Sequence, residues 1–374
     1  LCPTSLYFVV CAGGTAGNIK NSRMHFKFQN ESNIDYKGTK PTAEQSSIFE
    51  VLVLMVVHIC KKVLFFDTNL KIAIYLGALF ILSLIADVLT FPKTYLSRSD
   101  NIFNQYFVKI GWFWTLFLSV PYVILTSYIT CCGKKKFIII AHLSRLLIAT
   151  VSWYTWTAVF NIIETKYGRC NSNKFDSKVM CLKNGHFWNG FDISGHCFIL
   201  IYSSLVMIEE AKAINGWERI KDYIRDENYS RSQNDKSPSQ NPLKNIKSDD
   251  MTILKTSYEK FTPYVRALLI AIACLQLLWD VMLVSTILYY HVMVEKFISG
   301  VIAILTWFVT YRFWYTIPKV MPNLPGQGLF KYNNEKPLPT NVPSRKRSSL
   351  TNNKHFMGMP INKIQENDAN EESR

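Results

Sequence analysis

The chain has 374 residues, of which 49% are hydrophobic, 14% aromatic and only 18% charged, with a formal net charge of +15. Soluble domains average about 25% charged residues, and the mean hydropathy of +0.07 conceals long apolar runs separated by polar blocks, the pattern of an integral membrane protein. That pattern excludes extended disorder, a coiled coil or a small disulfide scaffold as the main architecture, and no zinc-finger or RRM signature turns the basic balance toward nucleic acid.

Residues 5–17 resemble the end of a signal peptide, but without its basic leading segment. A stretch over 49–66 is apolar but broken by Lys61 and Lys62; shorter than a span, it predicts a helix lying in the membrane interface. A spanning helix needs about 20 mostly apolar residues. Six stretches supply them, over 70–91, 106–129, 137–163, 193–214, 264–291 and 297–317, the fourth having the shortest strictly apolar part. The expected fold is therefore all-α, a polytopic membrane protein with six transmembrane helices and a short N-terminal interfacial helix. Its domains are a cytosolic N-terminal region (1–69), a six-helix transmembrane domain (70–317) and a disordered cytosolic tail (318–374). The segment 228–250 and the tail from Asn323 are rich in Ser, Asn, Lys and Pro and read as disordered.

Lys and Arg in the connections set the orientation. Seven fall in 1–69, three in 133–136, nine in 215–263 and nine in the tail; the other side holds two in 92–105, five in 164–192 and one after 291. Both termini are thus expected in the cytosol. The sequons at Asn30 and Asn228 then lie on the cytosolic side and stay unmodified. On the other side, Cys170 and Cys181 sit in one loop, where an oxidising lumen favours their pairing. Cys131 and Cys132, beside Lys134–Lys136, read as ordinary interfacial cysteines, although palmitoylation suits the position.

Two histidines stand out. His196 opens the fourth span and His291 closes the fifth. One connection joins the other ends of these two helices, so both histidines face the same side of the membrane, luminal by the charge count. With Asp192, Ser194 and Glu295 nearby they form a plausible acid–base pair; the same positions also suit two interfacial histidines satisfied by headgroups and water. In Ser194-Gly195-His196 the glycine lets backbone amides approach an anion and the serine hydroxyl can donate to a phosphoryl oxygen. Two histidines at one face suit phosphoryl transfer, one attacking phosphorus and the other protonating the leaving oxygen. No Cys-x-x-Cys or His-Glu-x-x-His pattern is present, so neither a metal nor another cofactor is expected. His142, close to Arg145, is expected to snorkel to the headgroups, and Asp280, inside the fifth span, needs a partner.

Residues 190–198 (Gly-Phe-Asp-Ile-Ser-Gly-His-Cys-Phe) resemble the hallmark segment of the fat storage-inducing transmembrane family. So do Asn-Gln-Tyr-Phe-Val-Lys at 104–109, Trp-Phe-Trp-Thr at 112–115, Met-Ile-Glu-Glu at 207–210, Tyr-Tyr-His at 289–291 and Trp-Phe-Val-Thr-Tyr-Arg-Phe-Trp at 307–314. The resemblance, which covers 93–325, implies an endoplasmic reticulum membrane protein with both termini cytosolic. It implies roles in lipid droplet formation and ER lipid homeostasis, and binding of diacylglycerol, triacylglycerol and membrane lipids. It also implies a fatty acyl-CoA diphosphatase, which cleaves long-chain acyl-CoA to acyl 4'-phosphopantetheine and adenosine 3',5'-bisphosphate, and a relation to lipid phosphate phosphatases. By that analogy His196 is the general acid and His291 the nucleophile. Glu295 stands four residues after His291, where that superfamily has an orienting Asp. The superfamily's Lys…Arg-Pro motif is absent, and its Ser-Arg pair is replaced by Val284 and Ser285. Lys109, about one turn into the second span, is the first replacement candidate for the missing phosphate clamp and Lys296 the second; Asn101 and Asn104 rim the site. The alternative is a non-catalytic protein that partitions neutral lipid, using Asp280, Gln276 and Asn161 to hold glycerol hydroxyls and esters. A transferase moving a phospho-headgroup to a lipid alcohol would use the same two histidines.

Overall fold

The computed structural model describes residues 47–332, apart from 90, 93, 99, 172–176, 233–240 and 318–321, together with residue pairs at 355–356 and 359–360. The signal-like segment at 5–17, the sequon at Asn30 and most of the tail lie outside the described residues.

The described chain is mostly helical. Helix α1 covers Ile48–Leu64 and ends in Lys61 and Lys62, cations that suit the negative end of the helix dipole. Helix α2 covers Thr68–Val88, α3 Gly111–Thr130, and α4 Ile140–Tyr167. Helix α5 covers Gly195–Ala211 and α6 Arg219–Ser232. Helix α7 covers Ser248–Tyr289, and α8 covers Met293–Thr316 and ends in π and 3-10 turns. Among the described residues five of these, α2, α3, α4, α7 and α8, are long and apolar enough to cross a membrane. Large apolar side chains such as Phe117, Leu147, Val281 and Phe308 are exposed on them, as a lipid-facing surface requires.

Helix α5 is built differently. Every residue from Cys197 to Ala211 is buried. It runs through the middle of the bundle, packed by α3, α4, α7 and α8. Protein rather than lipid surrounds it, so it tolerates Ser203, Ser204, Glu209 and Glu210, whose desolvation would be costly against acyl chains. This explains why the fourth apolar run is the weakest in the sequence.

Several expectations are corrected here. The fifth apolar run belongs to a helix of 42 residues, about 63 Å long. Its first turns reach back through the supposed 215–263 loop, where Lys134 pairs with Asp250 at 3.2 Å and Arg266 with Glu218 at 2.6 Å. The stretch 228–250, expected as disorder, is helical up to Ser232 and again from Ser248, and Arg231, which bonds Glu227 and the Ile246 carbonyl, ties residues 241–247 to the end of α6. The tail is not free from Asn323 on. Asn323 N–H donates to the Ala141 carbonyl at 3.1 Å, Leu329 N–H to Thr130 at 3.0 Å and Tyr332 hydroxyl to Ala213 at 2.6 Å, with Phe330 and Tyr332 buried. Residues 322–332 therefore form a strap across one end of the bundle.

His142 and Arg145 do not snorkel. Both are 1% exposed. Arg145 makes a two-pronged pair with Glu210, Nε to Oε1 at 2.8 Å and Nη2 to Oε2 at 2.6 Å, and the Tyr311 hydroxyl donates to the same carboxylate at 2.8 Å. Arg145 also reaches the Asn323 carbonyl of the strap. A matched partner on the central helix holds the guanidinium inside better than the distant headgroups would. Asp280 finds its partners on α2: Lys71 Nζ at 3.3 Å and the Tyr75 hydroxyl at 2.5 Å, with Gln276 Nε2 at 3.0 Å on its own helix. Asn161 is not among them; it is exposed on α4.

Candidate active site

At one end of the bundle, the start of α5 meets the junction between α7 and α8. Ser194 is the N-cap of α5, its Oγ accepting from Cys197 N–H at 3.3 Å. It is fully buried and its carbonyl accepts from Ser299 Oγ at 2.6 Å. The Ser194 hydroxyl, expected as a donor to phosphate, also acts as an acceptor here, starting the helix that presents His196. The preceding turn of α8 makes the second tie. Glu295 Oε1 accepts from Asp192 N–H at 3.2 Å, which pins the segment ahead of His196 to the helix that follows His291.

His291 lies between α7 and α8 with φ of +57°. A β-carbon at positive φ is strained, and such positions gather at functional sites. Here the left-handed residue reverses the chain tightly enough for α8 to restart at Met293, whose N–H donates to Asp87 Oδ2 at 2.9 Å. The turn carries the imidazole back over the first turn of α8. His291 Nδ1 lies 3.3 Å from Glu295 Oε2 and 3.8 Å from Asp192 Oδ2. The i,i+4 spacing noted in the sequence thus becomes a direct contact, although one residue of the interval is not helical. A carboxylate at Nδ1 favours the tautomer with its proton on that nitrogen, which leaves Nε2 as the nitrogen turned away from the acid.

His196 is half-buried, with His291 and Lys109 within electrostatic reach of it. Burial holds the Asp192 carboxyl above the usual carboxylate range, and the neighbouring His291 draws it back down. Lys109 stands at the end of a π-type turn over Phe103–Val108, just ahead of α3 rather than a turn inside it, and is exposed. It owes that place to Asn101, whose side chain ties the turn together: Nδ2 donates to the Leu96 and Arg98 carbonyls, and Oδ1 accepts from Asn104 N–H at 2.6 Å. Asn101 and Asn104 are both buried, so they shape the rim from beneath. Lys296 is 1% exposed and its Nζ donates to the Ile287 carbonyl at 2.7 Å, closing the last turn of α7 behind His291. That contact makes it a helix clamp and leaves Lys109 as the cation facing outward.

Asp87 and Ser299 were not singled out by sequence reasoning. Asp87, an acid near the end of an apolar run, carried a signal; Ser299 carried none, because its value lies in a contact with a carbonyl far away in the chain. Beside the site, Cys170 and Cys181 form the expected disulfide, and Trp188 donates to the Glu164 carbonyl at the end of α4. His186 is exposed in this loop. Among the described residues no group of three or more His, Cys, Asp or Glu is arranged to hold a metal ion.

A multi-pass helical membrane protein that gathers two histidines and two carboxylates where its helices end belongs among the polytopic membrane proteins with a polar site at one face. The sequence pattern described as fat storage-inducing transmembrane protein matches residues 92–311, and the chain belongs to that family. A relative from Drosophila melanogaster is 51% identical over 343 residues, covering 91% of this chain and 80% of its own length. One from Homo sapiens is 31% identical over 254 residues, covering 66% and 82%, and one from Caenorhabditis elegans is 28% identical over 279 residues, covering 74% and 90%. Each of the three carries the name acyl-coenzyme A diphosphatase FITM2. No solved structure matches the chain.

Proposed function

We propose that this protein is a fatty acyl-CoA diphosphatase of the endoplasmic reticulum membrane. It cleaves long-chain acyl-CoA to acyl 4'-phosphopantetheine and adenosine 3',5'-bisphosphate, in support of lipid droplet formation and ER lipid homeostasis. The names of the relatives support the reaction, and the contact between Glu295 and His291 Nδ1 supports the way it is done. His291 Nε2 attacks one phosphorus of the diphosphate. The bond to the bridging oxygen breaks as His196 delivers a proton to it. Water then attacks the phosphohistidine, giving its proton to His196, and the second phosphate product leaves with both histidines restored. Glu295 keeps Nδ1 protonated and offsets the positive charge that develops on the imidazole; Asp192 lies close enough to share that task. Lys109 stabilises the anionic oxygens at phosphorus, in place of the phosphate clamp that the lipid phosphate phosphatases carry.

The same reading gives six spans. Helix α5 has 17 residues, about 25 Å, and, though shorter than a lipid-exposed span, can serve as the sixth because protein surrounds it. Both termini then face the cytosol, α1 lies in the interface, and the histidines open to the lumen beside a disulfide that an oxidising compartment favours. The domain division follows, with residues 1–69 and the tail beyond the strap on the cytosolic side. The test is product analysis by mass spectrometry of purified protein with oleoyl-CoA. Wild type yields acyl 4'-phosphopantetheine; His196→Ala and His291→Ala, folded by thermal melt, yield none. Turnover in either variant overturns the assignment.

A second reading, diacylglycerol and triacylglycerol binding, rests on a groove of about 390 Å³ between α2 and α7, where Lys71, Tyr75 and Asp280 stand among Ile74, Val284 and Ile287. A polar floor in an apolar wall fits glycerol esters and hydroxyls beside acyl chains. A photoactivatable diacylglycerol should label this groove, and labelling that survives competition by diolein removes the reading.

A further inference from the structure

The other end of α5 holds a second place built for chemistry. A cavity of about 670 Å³ lies there, roughly 25 Å from His196 by the length of the helix. Its volume falls within the range of small-ligand sites. Five cations line it: Lys61 from α1, Lys212 just after α5, Arg219 at the start of α6, Arg312 from the end of α8, and Lys331 from the strap. They come from five separate places in the chain. The carboxylate in the lining is Glu209, already taken by Lys212 Nζ at 2.7 Å. One carboxylate against five cations leaves the cavity strongly positive, and such a concentration of like charge is relieved by a bound anion.

The cavity is also preorganised. The strap that forms one wall is fixed at Asn323, Leu329 and Tyr332, and turns at Gly326 with φ of +77°, a conformation that suits glycine. The Arg312 guanidinium lies 5.4 Å over the Trp307 ring, which limits its wandering. Two of the helices that supply these cations also carry exposed apolar side chains. Ile59, two residues before Lys61, and Phe313, next to Arg312, are exposed. A ligand with a charged head and an apolar remainder would satisfy both parts.

We propose that this cavity binds a multiply phosphorylated anion, supplied by the headgroup of an anionic membrane lipid. Two or more phosphates suit a cluster that holds four cations beside the Lys212–Glu209 pair, and the place of Arg312 on α8, a helix apolar enough to cross a membrane, favours the lipid over a soluble anion. The site is separate from the two histidines and does not depend on their role.

The test uses the full chain in detergent and native mass spectrometry. The probes are dioctanoyl phosphatidylinositol bisphosphate, dioctanoyl phosphatidylcholine, inositol trisphosphate and inorganic pyrophosphate. Wild type should bind the bisphosphate lipid saturably and leave phosphatidylcholine unbound. The variant Lys61→Gln/Arg312→Gln/Lys331→Gln removes three half-buried or exposed cations. It should lose at least about tenfold in affinity while keeping its thermal midpoint and its turnover of oleoyl-CoA. Lys166→Gln/Lys183→Gln, at the opposite end, should bind as wild type does. Binding of the lipid well above inositol trisphosphate and pyrophosphate identifies a headgroup site; equal binding of the soluble probes supports the cavity with a soluble phosphate ligand instead. Failure of wild type to saturate overturns the proposal, as does an equal loss in the control variant.

Discussion

Replacing Glu295 by Gln isolates what the carboxylate does for His291. The two side chains have the same shape, so the carboxamide oxygen can keep the bond from Asp192 N–H that Glu295 Oε1 accepts at 3.2 Å. Its NH₂ then stands where Oε2 was, 3.3 Å from His291 Nδ1. Two donors cannot face each other. Nδ1 must give up its proton and accept, and the proton moves to Nε2, the nitrogen that attacks phosphorus. The fold is untouched while the nucleophile is in the wrong tautomer. A charge-assisted bond is usually 2.7–2.9 Å; the longer separation here places the loss in the lower part of the range for acid–base groups, roughly a hundred- to a thousand-fold. That corresponds to about 2.7 to 4 kcal/mol of barrier. Steady-state turnover of oleoyl-CoA should show it as a fall in kcat with KM nearly unchanged, and the thermal midpoint should match wild type. Glu295→Asp, the acid found at this place in the lipid phosphate phosphatases, should recover part of the rate. Turnover of Glu295→Gln within about threefold of wild type would refute the reasoning.

Other outcomes follow from the same geometry. Glu210→Gln strips the charge opposite Arg145 where both side chains are 1% exposed; leaving a buried cation unmatched should cost about 3–5 kcal/mol, read as a lower thermal midpoint in detergent. The Arg145→Met/Glu210→Met double variant should cost less than the two single losses combined, and strict additivity would contradict the pairing. Cys170→Ser opens a loop closed across 11 residues, a constraint of about 3 kcal/mol in the chain-entropy account. In wild type purified without reductant, polyethylene-glycol maleimide should shift neither Cys170 nor Cys181 until a reducing agent is added; labelling of both at the outset would exclude the bond and the oxidising compartment.

Much of the class of fold was legible in the sequence because the membrane imposes it. Apolar runs of about 20 residues have few other uses, and five of the six read that way became helices long enough to cross. The sixth explains the limit. Glu209 and Glu210 weaken the apolar signal of α5, and only the surrounding helices show why: the helix is enclosed by protein, and Glu210 meets Arg145 there. The strap at 322–332 was read as disorder because its composition is polar. It is held by backbone bonds to Ala141 and Thr130, and composition carries no information about such distant partners.

The same division runs through the site. The sequence by itself determined that His196 and His291 share a face, since one connection joins the far ends of their helices, and that Cys170 and Cys181 stand close enough to pair. It also set the i,i+4 interval from His291 to Glu295. The tertiary structure decided the rest. It gave His291 a positive φ that folds its ring onto Glu295, turned Ser194 into a helix cap, and spent Lys296 on the Ile287 carbonyl. It also drew five cations from across the chain into one cavity. The physical reason is one of range: apolar length, chain connectivity and residue spacing are local and can be read along the chain. Which charges converge depends on contacts between residues a hundred or more positions apart, and the Ser194 cap and the Lys296 clamp, though short-range, depend on helix ends that packing between distant segments sets.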